Sequence, residues 1–519
     1  MSESAFNAAH YLLDRRVEAG DGDRIALLFG EEEITYAELA TRVNDVAAGL
    51  IEVGLLPEQR LLMVVADSPA FVELFLAAMR IGAIPVPVST MLKAREIAEL
   101  LVDSRAPMLA VSGAFAAEVQ LALPRSPYLR SVLDLDAAGM ARSDEVRVLT
   151  PVAFRRSGVT APWYDSTADS PAFWLYTSGT TGKPKAAMHR HGAIAVVCET
   201  YGTQVLGIGP QDRCLSAAKA FFAYGLGNSV LFPMSVGAST VLLPTASKPD
   251  VVAEMVARHR PTLFFGGPTF FANMLRAELP ADALAPVRLI ASAGEPLPAP
   301  LYERFVDRFG VDILDGIGMT EMLHIFLSNA PGEVRAGTTG VAVPGYDLEI
   351  RDDAGAVIDE PDVPGTLFVR GESAATGYWT RYAASRLVFQ GDWLRTGDTY
   401  VRDPDGYYRC LGRTSDMIKA SGIWVSPGDV EVQLLGHPGV AQAIVVAALD
   451  GDGLERPVAY VIPHAGSDVT EDELLAYCRE ALPSFKRPRR VVLVDGYPTT
   501  ATGKIRRVEL REMADGDLR

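Results

Sequence analysis

Tyr176-Thr-Ser-Gly-Thr-Thr-Gly-Lys-Pro-Lys185 packs four Ser/Thr hydroxyls, two glycines and two lysines into ten residues. It continues Ala172-Phe-Trp-Leu-Tyr176, an apolar run suited to a strand. Glycines let a backbone approach an anion, hydroxyls donate hydrogen bonds and lysines supply charge. The stretch therefore reads as a phosphate-binding loop, with Thr177, Ser178, Gly179, Thr180, Thr181, Gly182, Lys183 and Lys185 as candidate ligands. It is not a Walker A loop: that pattern wants glycine where Thr177 stands and Ser or Thr where Pro184 stands.

Around this loop, helix-like and strand-like segments alternate. Residues 34–50 have apolar positions at helical spacing (Leu39, Val43, Val46, Leu50) and predict an amphipathic helix. Arg60–Ala66 predicts a buried strand, Pro69–Ile81 a helix and Gly82–Val88 the next strand. The rhythm recurs with strands at Pro107–Val111, Thr240–Leu243, Thr262–Gly266 and Val287–Ala291, which argues for an α/β fold with a largely parallel sheet. From about 335 to 412 short alternating strands take over, predicting antiparallel β structure in a small β-barrel. The last hundred or so residues predict strands at Val440–Ala447 and Arg456–Ile462 and a helix at Glu471–Leu482. The expected division is a large domain over 1–413 and a small α+β domain over 414–519.

The 519 residues, 55.7 kDa, are enough for more than one domain. A net charge of −17 gives the chain no general attraction to nucleic acid or an anionic membrane. Cys198, Cys214, Cys410 and Cys478 form no CxxC, which argues against a zinc ribbon and fits a reducing cytoplasm. The N-terminal residues lack the pattern of a signal peptide. Residues 220–247 carry no charge, but glycines and prolines interrupt them, so they read as a buried loop–helix–strand passage and not a membrane span. His189 and His191 lie two apart with no further ligands clustered near them, a poor metal pattern. Ten Lys/Arg against six Asp/Glu from Arg479 onward mark a basic end.

TSGTTGKPK resembles the phosphate loop of the adenylate-forming superfamily, which comprises acyl-CoA synthetases, peptide-synthetase adenylation domains and beetle luciferases. The resemblance extends over nearly the whole chain. It implies a large N-terminal domain of α/β and β-barrel subdomains with a small mobile C-terminal domain. Ser292-Ala-Gly-Glu-Pro296 resembles the segment bordering adenine, which assigns Ala293, Gly294 and Glu295 to ATP binding. Asp315-Gly-Ile-Gly-Met-Thr-Glu321 resembles the YGxTE stretch. Asp315, Gly316 and Ile317 would then border the nucleotide, with Ile317 standing where many relatives have an aromatic residue. Thr320 would bond the α-phosphate, and Glu321 would ligate Mg2+. Arg395-Thr-Gly-Asp398 matches the motif whose carboxylate accepts from the ribose hydroxyls, and Arg413 matches the arginine near ribose and phosphate. Pro498-Thr-Thr-Ala-Thr-Gly-Lys504 matches the catalytic-lysine motif, so Lys504, Thr320 and Glu321 are the expected catalytic residues.

Lys219-Ala-Phe-Phe-Ala-Tyr-Gly-Leu-Gly-Asn228 and Met322-Leu-His-Ile-Phe-Leu-Ser-Asn329 resemble the benzoate–CoA ligases within that superfamily. By this resemblance Ala223, Tyr224, Gly318, His324 and Ile325 line an acid pocket, with His324 either donating a hydrogen bond or shaping the wall. A flat aryl ring wants such aromatic and aliphatic walls. The implied reaction joins benzoate or a substituted benzoate to coenzyme A through an aryl-adenylate, with release of AMP and pyrophosphate. Delivery to a carrier protein's phosphopantetheine is the alternative acceptor. Salicylate, anthranilate and hydroxybenzoates all stay open as substrates, as does a homodimer. The matching hinge is Ser415, where many relatives carry Asp or Lys. Gly422 and Trp424 would border the pantetheine tunnel, and Lys486 and Arg487 would meet the CoA phosphates. Asp429 stands where the pattern has Glu.

Overall fold

The computed structural model describes residues 5–141, 145–178, 184–420, 423–450, 454–499 and 505–517. Two sheets with parallel cores form the larger part. The first is parallel throughout, in the order Ile84–Pro87, Arg60–Val64, Met108–Val111, Ser131–Asp134, Arg147–Leu149. The first three of these strands are near-continuous apolar runs, as expected of strands covered on both faces. The second has nine strands. Six run parallel, in the order Ile313–Gly318, Leu289–Ser292, Leu263–Gly266, Arg213–Ser216, Ser239–Val241, Ile25–Phe29. Antiparallel strands extend both edges: Glu32–Thr35 at one, Ile325–Ser328 and then Val341–Ala342 at the other. Strand order reverses at Arg213–Ser216, so the crevice at the carboxyl ends of these strands is the expected ligand position.

Local chemistry explains where elements start. The helix expected from residue 34 begins later, at Tyr36, and runs to Val53. Thr35 accepts from the Glu38 backbone N–H, and the Glu38 carboxylate accepts from the Thr35 N–H; this reciprocal cap fixes the start. Ile34 belongs to the preceding strand, with its side chain in the core. The uncharged stretch 220–247 is a buried succession of a short helix Ala223–Leu226, a widened turn, a helix Phe232–Val236 and the strand Ser239–Val241. No helix among the described residues is long and apolar enough to cross a membrane.

The third region is antiparallel. Asp347–Arg351 pairs with Gly365–Arg370, and that with Trp393–Arg402. Phe389–Gln390 and Tyr408–Arg413 both pair with Trp393–Arg402. Asp347–Arg351 and Tyr408–Arg413 do not pair, so the expected barrel is an open half-barrel. Beyond it, Val440–Leu449, Glu455–Pro463 and Arg490–Leu493 form a three-stranded sheet. The helices Pro427–Leu435 and Glu471–Ala481 pack on one face through Val430, Leu434, Leu474 and Cys478, and Leu510 and Ala514 of Arg507–Asp517 pack with Ile444, Val446 and Tyr460.

Candidate active site

The two ends of the phosphate-loop motif lie on paired strands. Pro171–Ser178 runs antiparallel to Pro184–Arg190, with Thr177 opposite Lys185 and Ser178 opposite Pro184. Gly179, Thr180, Thr181, Gly182 and Lys183 lie outside the described residues, between two strands whose register brings their ends together. The Tyr176 hydroxyl donates to Asp103 Oδ2 at 2.8 Å and ties the base of the hairpin to the end of the helix Ala94–Ser104.

The nucleotide side is assembled from the carboxyl ends of adjacent strands. Ser292 and Asp315 are register partners, so Ala293, Gly294 and Glu295 follow one strand beside Asp315, Gly316 and Ile317 on the next. Gly294 adopts φ +96°, a conformation open to glycine. Glu295 accepts from the Thr269 hydroxyl at 2.7 Å. Asp315 is buried, and burial pushes its carboxyl up to about 8, so it holds a proton at neutral pH. Asp398 is buried on Trp393–Arg402 and pairs with the exposed Arg413 at 3.1 Å; Arg413 also donates to the Thr396 carbonyl at 3.2 Å. Tyr400, on the same strand as Asp398, is buried, and its hydroxyl meets the Thr339 hydroxyl at 3.2 Å.

Thr320 and Glu321 lie on a tight turn, Thr320–Met322, directly after the strand Ile313–Gly318. The buried Glu321 carboxylate accepts from the Tyr378 hydroxyl. Burial and that neighbouring carboxylate push the Tyr378 phenol well up, which keeps it a proton donor. The chain then turns sharply. Leu323 has φ +66° and ψ −44°, and the His324 N–H donates back to the Met322 carbonyl at 2.8 Å. This three-residue turn is rare and strained for a side chain such as leucine, and Leu323 is held there fully buried. The strand Ile325–Ser328 starts two residues after Leu323.

His324, expected from the resemblance to line an acid pocket, is the centre of a cluster of aromatic rings. Its ring lies 4.5 Å from that of Phe232 and 5.4 Å from those of Tyr201 and Tyr224, centroid to centroid. Its Nε2 donates to the Tyr224 carbonyl at 3.2 Å, because a carbonyl can only accept. That assignment uses the neutral ring's one proton, so the ring has no second N–H to donate. Burial pushes its pKa down to about 3, so it stays neutral. The Tyr224 hydroxyl donates to the Ala291 carbonyl at 2.8 Å, which docks the Ala223–Leu226 helix on the strand leading to Ala293. Ile325 is buried and Ala223 half-buried beside this cluster. Two glycines make the arrangement possible. A Cβ on Gly227 would lie 2.3 Å from His324 Cδ2, and one on Gly318 would lie 2.5 Å from the His324 carbonyl oxygen. Tyr201, Phe232 and Tyr378 are absent from the motif-based residue set; no short pattern around them signals a pocket.

The C-terminal assignments fall less tightly. Ser415 is exposed and donates to Asp416, which Arg511 also meets at 3.2 Å. Trp424 pairs with Lys419 in a two-stranded sheet; Gly422 lies outside the described residues. Lys486 is ion-paired with Asp429 at 2.6 Å, and Arg487 donates to the Leu482 carbonyl at 2.8 Å. Asp429 also meets Arg409 of the half-barrel at 3.1 Å. Lys504 lies outside the described residues; Thr499 and Ile505, before and after it in the chain, bridge each other. Close after it, Arg507 is clamped by Glu431 at 2.8 Å and feels Glu295 of the nucleotide side.

Comparison with known proteins places this geometry. The AMP-binding enzyme model matches residues 13–379, and the AMP-binding enzyme C-terminal domain model matches 429–504. A 4-hydroxybenzoate–CoA/benzoate–CoA ligase of Rhodopseudomonas palustris is 40% identical, with 99% of this chain and 95% of that protein covered. The crystal structure of a benzoate CoA ligase from Burkholderia xenovorans LB400 matches with TM-score 0.88 and 39% identity over 98% of this chain and 100% of that one. An anthranilate CoA ligase, AuaEII, solved in complex with anthranoyl-AMP, matches with TM-score 0.92 and 34% identity over 99% of this chain and 98% of that one. The order of motifs, the crevice at the strand ends and these matches agree: the chain belongs to the AMP-binding enzyme family.

Proposed function

We propose that this protein uses ATP to activate benzoate or a simply substituted benzoate as the aryl-adenylate and then passes the acyl group to coenzyme A. The observation that carries the reading is the continuity from Ile317 to Ile325. One strand end and one strained turn join the nucleotide-side residues and Glu321 to the aromatic wall around His324. An acid seated against that wall has its carboxylate turned toward the segment that would hold the α-phosphate. The full-length relatives named for benzoate and hydroxybenzoate support the same substrate class.

In the first half-reaction a carboxylate oxygen bonds to the α-phosphorus, and the bond to pyrophosphate breaks. In the second the CoA sulfur bonds to the acyl carbon, AMP leaves with the electron pair, and the thiol proton goes to solvent. Thr320 donates to the α-phosphate. Asp398 accepts from the ribose hydroxyls. Neutral Asp315 offers both a donor and an acceptor to the adenine edge. Lys504 brings charge to the phosphorus centre during adenylation and leaves with the small domain, about the hinge at Ser415, before thioester formation. The four cysteines are all free, which fits a cytoplasmic setting.

Magnesium fits Glu321. No group of three or more candidate ligands exists among the described residues. A single buried carboxylate beside a phosphate site is the usual protein share of a magnesium–nucleotide complex. When bound, the ion offsets charge on the triphosphate.

The test is mass detection of the acyl-CoA, with AMP release, across benzoate, its hydroxy and amino derivatives, cinnamate, cyclohexanecarboxylate and hexanoate. An aryl-CoA from benzoate or one of its derivatives is expected. Preference for the aliphatic acids, or an adenylate that never reaches CoA, overturns the reading.

A further inference from the structure

Glu321 is tied twice to one segment that the function above does not use. Its backbone carbonyl accepts from the Ala375 N–H at 2.8 Å, and its carboxylate accepts from the Tyr378 hydroxyl. Residues 376–379 lie along Pro184–Arg190 as an added strand. The Thr376 N–H donates to the Met188 carbonyl at 2.9 Å, Met188 N–H to Gly377 at 3.0 Å and Trp379 N–H to Ala186 at 2.9 Å. The far end is anchored on Asp103: its carbonyl accepts from the Trp379 indole at 3.0 Å, and its carboxylate pairs with Arg381. Asp103 is the residue that also holds Tyr176 at the base of the phosphate hairpin. The buried Tyr378 ring packs edge-on against Phe389 at 5.5 Å, and Lys185 Nζ lies 5.4 Å from its centroid. One tyrosine therefore stands between a phosphate-loop lysine and the carboxylate of Glu321.

We infer that Tyr378 is a positioning residue for the divalent cation that accompanies the nucleoside triphosphate: its hydroxyl occupies one oxygen of Glu321, fixes the carboxylate plane and presents the other oxygen as ligand. The inference rests on the reading of Glu321 as the metal-binding carboxylate. A ligand carboxylate with its second oxygen hydrogen-bonded loses rotational freedom before the cation arrives. The same segment pins the phosphate hairpin, so cation and phosphates are placed by one rigid strap.

The experiment compares Y378F, E321Q and the double variant in the full chain. Mn2+ binding is read by EPR with the non-hydrolysable α,β-methylene ATP, and the half-activating Mg2+ concentration is read from AMP release. Y378F is expected to weaken both by about ten-fold, with the benzoate KM within about two-fold of wild type. E321Q weakens them further, and the double variant is no worse than E321Q, because Tyr378 acts through Glu321. Y378H, which restores a ring donor, recovers part of the affinity and serves if Y378F proves unstable. Unchanged metal affinity in Y378F alongside an impaired E321Q overturns this inference alone. A Y378F that loses benzoate and metal affinity equally, with a fallen Tm, also overturns it, since a purely structural role does that. Unchanged metal affinity in E321Q overturns the reading of Glu321 itself.

Discussion

The wall around His324 and the small C-terminal unit are held by opposite means. His324, Tyr201 and Phe232 are buried and touch ring to ring, and the hydrogen bonds of Tyr224 and His324 end on backbone carbonyls. Burying one such ring contributes about 1.5–3 kcal/mol, and nothing in the contact yields without leaving a cavity. The C-terminal unit meets the rest through polar contacts: Arg409 with Asp429 at 3.1 Å, and Arg304 with His464 at 3.3 Å. A partly exposed ion pair such as Arg409–Asp429 contributes about 0–1 kcal/mol. The region proposed to recognise the acid is preassembled, whereas the region proposed to move with Lys504 meets the rest partly through ion pairs of little net worth. A two-step reaction needs that division, because the acid site must persist while its surroundings change.

The largest effect should come from the detachable side. Lys504→Ala is expected to slow adenylation by about 10²–10³-fold. It should leave thioester formation from preformed aryl-adenylate, measured with added CoA, within a few-fold of wild type. Equal loss in both half-reactions would erase the contrast. Next comes the wall. His324→Ala removes a packed ring and one hydrogen bond. It should raise the benzoate KM by about ten-fold or more, leave the ATP KM within about two-fold, and admit bulkier ring-substituted acids, all read from steady-state kinetics.

Asp315 gives a pH signature of the rigid side. Its carboxyl lies near 8 in the fold against 3.8 as an ordinary aspartate. Below pH 4 both folded and unfolded states hold the proton. Between about 4 and 8 the unfolded state binds fewer protons than the folded one, so stability falls as pH rises. Asp315→Asn removes that loss. Its advantage over wild type in thermal unfolding should grow from pH 5 to pH 8 and reach at least about 1 kcal/mol. The smallest effect belongs to the linkage. Asp429→Ala frees Arg409 and Lys486 and should cost about 1 kcal/mol or less in denaturant unfolding, while shifting the ratio of the two half-reaction rates.

The alternating elements were legible in the sequence because parallel strands and their covering helices are short, apolar and spaced by turn residues. Arg60–Val64, Pro69–Arg80 and Leu263–Gly266 fall where the pattern puts them. The start of Tyr36–Val53 was misplaced because Ile34 continues the helical spacing while its backbone pairs as a strand; only the Thr35–Glu38 cap separates the two. Motif residues such as Asp315, Thr320, Glu321 and Asp398 could be named because they are contiguous in short signatures. Tyr201, Phe232 and Tyr378 could not, since each reaches the site from a distant segment and reads locally as an ordinary core aromatic. The strained turn at Leu323 left no trace either, because leucine is not a residue that announces a positive φ.

The measurement closest to the central claim is acid-dependent ATP–pyrophosphate exchange without CoA, on the wild-type chain, for benzoate against hexanoate and cyclohexanecarboxylate. It isolates the half-reaction in which the acid meets the wall around His324. The account predicts exchange with benzoate or a substituted benzoate at least about 100-fold faster, per unit kcat/KM, than with either aliphatic acid. Comparable exchange with all three, or faster exchange with hexanoate, would contradict it.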